Sequence, residues 1–354
     1  MGRQAQSEPQ PERRDEVLLV DFDAGEDGHR GQYNAMLARL FHLRRARFSP
    51  AMLVARAPVL CPQIEAAPLR FGLTCLARGL LGRRTTGLLL RPLPALKGRS
   101  LRLRVKRAML MLLRRAPGVQ VLTIVPFAVN PGLAAIAHGW IHDLQNWDMQ
   151  LEADPVAAPA GQFLGQDIRR HAQGRQICCA IGRQDREKGF DRFAALYSSS
   201  PALRDVMLFA FGGKVSHPLA EAARDFADHG GYALDRYVSD AELAELYAAA
   251  DLVWCAYAPD YDQASGVLGR AMQYGIPVVA RRGSVIAAVC AIAGHPCVEL
   301  DDGDDWDKLA AIPPRSEPKL VRHRARQHGE VSLARLAKAL RVVPAWNPFA
   351  ACAE

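Results

Sequence analysis

Residues 262–282, DQASGVLGRAMQYGIPVVARR, constrain the fold more than any other stretch of the chain. They read as a short loop, a helix over 266–274, a Gly-Ile-Pro turn and a buried strand over 277–280. Gly275 ends the helix where positive φ is cheapest, and Pro277 prevents its continuation. A helix that hands over to an apolar strand within three residues belongs to an αβ unit of a parallel sheet. Ser265 and Gly266 are small, so the first backbone N–H groups of this helix stay open to an anion. In open α/β sheets such a helix start faces the crevice at the carboxyl ends of the strands, where ligands bind.

The rest of the chain repeats the same alternation. Residues 16–23, EVLLVDFD, predict a strand, 24–31 a Gly-rich turn and 32–43 an amphipathic helix, which together open a doubly wound sheet. The glycines lack the G-x-G-x-x-G spacing, which argues against a nicotinamide dinucleotide. Further strands are expected at 51–55, 87–91 and 119–127, with helices at 68–81 and 100–115. The Pro/Ala-rich run 152–161 reads as a linker. Beyond it, strands are expected at 176–181, 206–211, 233–237 and 251–256. The helix over 239–250 carries a Ser239/Glu242 capping box. The fold class is α/β, with two Rossmann-like doubly wound domains facing across a cleft. The expected division is a tail over 1–15, an N-terminal domain over 16–160, a C-terminal domain over 161–335, and a tail over 336–354 that returns to the N-terminal domain.

Charge is the second organising feature. Between Gly28 and His142 nineteen Arg or Lys face a single carboxylate, Glu65, so this span carries +18 of a chain whose net charge is +8, and the remainder carries −10. Such asymmetry implies an anionic partner, unless the arginines merely solvate helix faces. Aromatic residues are sparse and no nucleic-acid module is recognisable, so an anionic membrane surface ranks above nucleic acid, which is not expected as a partner. The longest uncharged run, 116–142, is interrupted by Pro117, Pro126, Asn130, Pro131 and Gly132, and reads as a strand, a loop and a short helix rather than a membrane span. No export signal is legible in residues 1–15. The eight cysteines form no C-x-x-C pair, and only His295 with Cys297 brings a His near one. Reduced thiols of a cytoplasmic protein are expected, with no metal site and no cofactor.

Four segments in fixed order resemble the donor half of a GT-B glycosyltransferase of family 4 type: GRQDREKGFD (182–191), FAFGGK (209–214), YVSDAELAELYAAADLVWCAY (237–257) and SGVLGRAMQYGIPVVA (265–280). The N-terminal half matches in architecture only. The resemblance implies a nucleotide-sugar donor whose diphosphate is gripped by Arg183 and Lys188, with Gly213 nearby and backbone contacts at Ser265, Gly266 and Val267. Two cations and a helix start would stabilise the charge of a departing diphosphate. The family carries two glutamates eight positions apart, one near the donor sugar and one on the ribose. Asp262 and Arg270 stand there: Asp262, though shorter, can still accept from sugar hydroxyls and joins the catalytic candidates, whereas Arg270, on the donor-binding side, has only donors to offer a hydroxyl.

For the opposite wall of the cleft, residues 139–150, GWIHDLQNWDMQ, bring His142, Asp143, Trp147 and Asp148 close together. His142 and Asp143 are candidates for acid/base or sugar-hydroxyl work, the alternative being a helix cap beside an interdomain tryptophan. Asp23, Gly28 and His29, on the loop after the first strand, are the substitutes. The expected activity is hexosyl transfer to a lipid-linked acceptor in bacterial exopolysaccharide, capsule or lipopolysaccharide synthesis, at the inner face of the plasma membrane. A catalytically silent GT-B scaffold subunit is the first alternative, and a nucleic-acid-binding protein the more distant one.

Overall fold

A computed structural model describes residues 17–22, 29–151, 163–301 and 306–344. The expected 1–15 tail and 152–161 linker lie outside these residues, as do Asp23 and Gly28.

The first unit runs β1 (Leu18–Asp21), α1 (His29–Phe41), β2 (Arg44–Arg47), α2 (Ala51–Val54), β3 (Val59–Cys61), α3 (Pro68–Leu80), β4 (Thr85–Leu89), α4 (Pro92–Lys97), α5 (Leu101–Leu113), β5 (Val119–Thr123) and β6 (Gly139–Trp140). Its six strands are parallel, in the order β2-β1-β3-β4-β5-β6. The second unit runs α6 (Phe163–Ala172), β7 (Gln176–Ile181), α7 (Phe190–Ser199), α8 (Pro201–Val206), β8 (Met207–Gly212), α9 (Ala220–Asp228), β9 (Tyr232–Leu234), α10 (Asp240–Ala249), β10 (Leu252–Cys255), α11 (Gly266–Tyr274), β11 (Val278–Arg281), α12 (Val285–Ala293), β12 (Cys297–Leu300) and α13 (Pro318–Leu340). Its sheet is also parallel, in the order β12-β11-β10-β7-β8-β9. Two doubly wound sheets thus meet the expected α/β class. Their order reverses between β1 and β3 and between β7 and β10, and at such switch points the loops at the carboxyl ends diverge to leave a crevice.

Two expected strands are corrected. Residues 51–54 form α2, with Met52 buried, and the strands lie on either side of it. The sequence RRAR of β2 is an exposed, charged edge strand with no apolar run to betray it. The strand expected over 119–127 stops at Thr123, and β6 closes the sheet in its place. Elsewhere α11 falls on the expected 266–274 and ends at Gly275 with φ +68, and Ser239 and Glu242 form a reciprocal capping box on α10. Among the described residues no helix is long and apolar enough to cross a membrane.

Long-range packing fixes the relation of the two sheets. The last helix, α13, buries Ala325, Leu333, Leu336, Ala339 and Leu340 in one cluster with Leu19, Leu37, Leu60, Leu88 and Leu122 of the first unit. Thr86 Oγ1 donates to the Ala339 carbonyl at 3.3 Å, while Arg324 of the same helix donates to the Gly294 carbonyl of the second unit at 3.0 Å. Behind β4, Arg78 is fully buried. Its guanidinium donates to the carbonyls of Met52, Ala55, Ala57 and Arg84 and to Thr85 Oγ1 at 2.5–3.1 Å, which joins α2, α3 and the strand ends.

Candidate functional site

The loops after β7 and β10 meet at the switch point of the second sheet. The first is held close by glycine: at Gly189, φ +69, any Cβ would run into the Ala256 carbonyl, and at Gly213, φ +143, into that of Gly182. Gly213 therefore acts here through close backbone approach, with its N–H donated to the Leu234 carbonyl at 3.1 Å.

This packing sets Lys188 against two tyrosines. Its ammonium donates to Tyr257 Oη at 3.1 Å and lies 4.2 Å from the centre of that ring and 5.5 Å from that of Tyr261. Tyr257 Oη shares a hydrogen bond of 2.7 Å with Ser265 Oγ, and Ser265 Oγ accepts from Val267 N at 3.2 Å as the N-cap of α11. A continuous chain of polar contacts thus leads from Lys188 to the start of α11. Burial lowers the pKa of Lys188, with the Arg91 charge adding to the effect, and burial raises that of Tyr257. An anion beside Lys188 would reverse that loss of charge stabilisation. Arg91, from the other domain, extends toward the same place, with Nη2 3.4 Å from Tyr261 Oη. Arg183 sits at the rim, its side chain 74% exposed and its Nε 3.3 Å from Asp185.

The two positions where the resembled family has glutamates face the protein. Asp262 accepts from Val285 N at 2.7 Å, at the start of α12, and lies 3.7 Å from both Lys97 and Arg281. Arg270 grips Asp148 with two parallel bonds of 2.7 and 2.8 Å. Gln273, one turn further on, donates to Asp148 Oδ1 and to the Gln145 carbonyl, both at 2.7 Å, and accepts from Met149 N. The segment 144–149 thereby lies along α11. It approaches so closely that a Cβ at Gly266 would overlap the Gln145 side chain, and one at Gly269 would press on Asn146 and the Gln145 carbonyl.

His142, Asp143 and Ser265 line one interdomain pocket, with Asn146, Leu268 and His328 beside them and Ile124, Val129, Val285 and Val289 as its apolar wall. His142 stacks on His328 of α13, ring centres 3.7 Å apart and nearly parallel, with the edge of Trp140 against it. Burial lowers both imidazoles, His142 to about 3 and His328 to about 4, so both are neutral at physiological pH. Asp143 is buried, accepts from Gln145 N at 3.2 Å as a cap, and is raised to about 6, first by burial and then by the Asp148 charge. Cap and cleft wall are therefore one residue. Of the substitutes, His29 opens α1, while Asp23 and Gly28 lie outside the described residues. Among the described residues no three His, Cys, Asp or Glu side chains are grouped to hold a metal ion.

No protein-family model matches the chain, and no curated protein matches its sequence. Solved structures do. HepE from Anabaena, in complex with UDP, superposes with a TM-score of 0.59 at 13% identity, over 92% of this chain and 99% of that one. The fold is GT-B. The UDP-forming α,α-trehalose-phosphate synthase from Burkholderia vietnamiensis gives 0.55 at 12% identity, over 96% and 98% of the two chains. That from Burkholderia xenovorans, in complex with glucose-6-phosphate, gives 0.52 at 13% identity, over 82% and 74%. In GT-B terms the chain from Lys188 to α11 lies on the C-terminal wall of the cleft and the His142–His328 stack on the floor between the domains. Tyr257, Tyr261, Arg91, His328 and the pairing of Asp148 with Arg270 were not assigned from sequence. Two tyrosines four residues apart after an apolar strand were the available signal for the first pair.

Proposed function

We propose that this chain is a nucleotide-sugar-dependent glycosyltransferase related to family 4. The observation that carries the reading is the array of Lys188, Tyr257, Ser265 and the α11 start at the switch point of the second sheet. A donor diphosphate laid there meets a cation, a helix N-terminus and, at the rim, Arg183. As the bond to the sugar breaks, negative charge grows on the diphosphate, and groups already held in place stabilise it without reorganising. The sugar would then extend toward His142 and Asp143, and the acceptor would enter from the N-terminal domain. UDP is the nucleotide to try first, because HepE was solved with it and the trehalose-phosphate synthases are UDP-forming. A hexose passed to a lipid-linked glycan of a bacterial surface polysaccharide, at the anionic inner face of the plasma membrane, fits the single-sign charge of residues 28–142.

A second reading has its own observation. Asp262 and Arg270 are both bound to protein groups, which favours a silent GT-B subunit that scaffolds an assembly complex. Thermal-shift measurements against UDP-, GDP-, dTDP- and CMP-sugars, followed by hydrolysis and transfer assays, separate the two. Stabilisation with turnover supports the enzyme, and stabilisation without turnover supports the scaffold. Stabilisation by none of them overturns the donor site.

A further inference from the structure

A helix covering a sheet needs one apolar stripe, turned inward, and its outer face is ordinarily polar. The layer formed by α2, α3 and α5 over one face of the first sheet has two. Inward, α3 buries Phe71, Cys75 and Arg78, and α5 buries Leu110 and Leu113. Outward, α3 presents Leu69, Leu73, Leu76 and Leu80 at spacings of four, three and four, which is a second stripe along the helix. On α5 Leu101, Val105 and Leu112 do the same. Leu80 is 90% exposed, Leu101 74% and Leu69 68%. Among the described residues, ten of the sixteen exposed large apolar side chains lie between Val54 and Leu112, so the surplus is local to this layer.

The charges around the stripes have one sign. Arg70, Arg102, Arg104, Arg114 and Arg115 are exposed beside the leucines. Glu65, the only acid from Gly28 to His142, points its carboxylate at the backbone of Leu90 and Arg91 at the start of α4, where it accepts both N–H groups. Lys106 and Arg107 also turn from the outer face, the first half-buried and the second donating to the Leu96 carbonyl at 3.0 Å. The outer face therefore carries leucine and arginine and no carboxylate.

We infer that the outer face of α3 and α5 docks on an anionic lipid bilayer, leucines in the acyl boundary and arginines among the headgroups. A protein partner of ordinary composition would have to bring its own dense acidic rim to match these arginines. An anionic leaflet supplies that charge everywhere and the apolar boundary beneath it. Both helices begin at the carboxyl edge of the sheet, where the cleft opens, so docking on this face holds the cleft mouth at the bilayer. This deepens the glycosyltransferase reading by giving the docking face for a lipid-linked acceptor.

Flotation with phosphatidylcholine vesicles, with and without phosphatidylglycerol, tests it, and no donor is present. Failure here leaves transfer chemistry untouched, while loss of transfer leaves docking untouched. The full chain should float with the anionic vesicles at low salt and be released at high salt. A Leu69→Gln, Leu73→Gln, Leu80→Gln variant and an Arg102→Glu, Arg104→Glu, Arg115→Glu variant should each lose about tenfold or more in partitioning. All six side chains are exposed, so both variants should melt as the parent does, which the same preparations check. Absence of flotation, equal flotation on neutral vesicles, or equal flotation of the variants would overturn the inference. So would a dimer of the parent that the leucine variant dissolves, since the face would then be an interface between copies.

Discussion

Arg270→Glu restores the residue type of the resembled family and in this chain should be harmful. Arg270 meets Asp148 through two bonds of 2.7 and 2.8 Å, their side chains 29% and 18% exposed. An exposed ion pair is worth about 0–1 kcal/mol, and removing one partner of a buried pair costs about 3–5 kcal/mol. At this partial exposure we take about 2 kcal/mol for Arg270→Ala, between those limits. Asp148→Ala also removes the acceptor of Gln273, which adds about 1 kcal/mol. Arg270→Glu sets two carboxylates face to face and should cost more than Arg270→Ala, and adding Asp148→Lys should recover part of the loss. Urea unfolding of the two alanine variants and their double should return a coupling of about 1–2 kcal/mol. A coupling below about 0.5 kcal/mol, with Arg270→Glu as stable as the parent, would refute the tie between segment 144–149 and α11. Tighter nucleotide binding by Arg270→Glu would indicate that the arginine occupies a ribose contact.

Under the donor-binding reading, Lys188→Ala should lower kcat/KM by about a hundredfold, the effect of losing one charge-stabilising donor, and Arg183→Ala by much less because its side chain is largely exposed. Near-parental turnover of Lys188→Ala would remove that lysine from the site. Arg78→Met should destabilise the N-terminal domain by about 3–5 kcal/mol, since four buried carbonyls lose their donor together, and a change in melting temperature of only a degree or two would contradict this. His142 and His328, lowered to about 3 and about 4 by burial, favour the neutral form in the fold, so their stabilisation is present above the ordinary histidine pKa of about 6.5 and is lost as pH falls from there. Asp143, raised to about 6, has the opposite sign and favours the fold at lower pH, with its contribution declining from about pH 4 to about pH 6. Two histidines outweigh one carboxyl, so the urea midpoint should fall from about pH 7 to about pH 5, and the fall should shrink in His142→Phe, His328→Phe.

The second domain was more legible than the first for a physical reason. Its strands β7 and β8 are six residues long and buried throughout except at Gln176, as QICCAI and MLFAFG, so these apolar runs stand out between capped helices. In the first sheet β2 is RRAR on an exposed edge and β3 is three residues long, too short and too atypical to register as strands. Ser265 and Gly266 could be singled out because a helix start after a parallel strand has a chemistry of its own, and Lys188 only through the resemblance of segment 182–191. The pairing of Arg270 with Asp148, 122 residues apart, could not, because it depends on how segment 144–149 crosses α11. Nor could the stack of His142 on His328, which needs α13 to return across the first sheet. The outward leucines of α3 were visible as composition, but only burial separates a second stripe from the one that packs.

Both positions at which the resembled family has glutamates are engaged by protein groups here. Asp262 now accepts from the first turn of α12, and Arg270 belongs to the interdomain tie. Arg270 has no acceptor to offer a ribose hydroxyl and Asp262 keeps only Oδ2, 3.7 Å from Lys97, whereas under the donor-binding reading Lys188, Ser265 and the start of α11 would meet a diphosphate. Under the donor-binding reading, affinity should therefore reside in the diphosphate more than in the nucleoside. UDP and GDP should then differ little, and both should fall sharply with Lys188→Ala and with rising salt. Asp235, which accepts from Val215 N at 2.9 Å and pairs with Lys214 at 3.2 Å, ties the loops after β8 and β9 together, and under the same reading any base preference is sought there. Strong discrimination between UDP and GDP that survives Asp235→Ala would mean that the nucleoside is held by other groups of the cleft and that affinity does not reside mainly in the diphosphate.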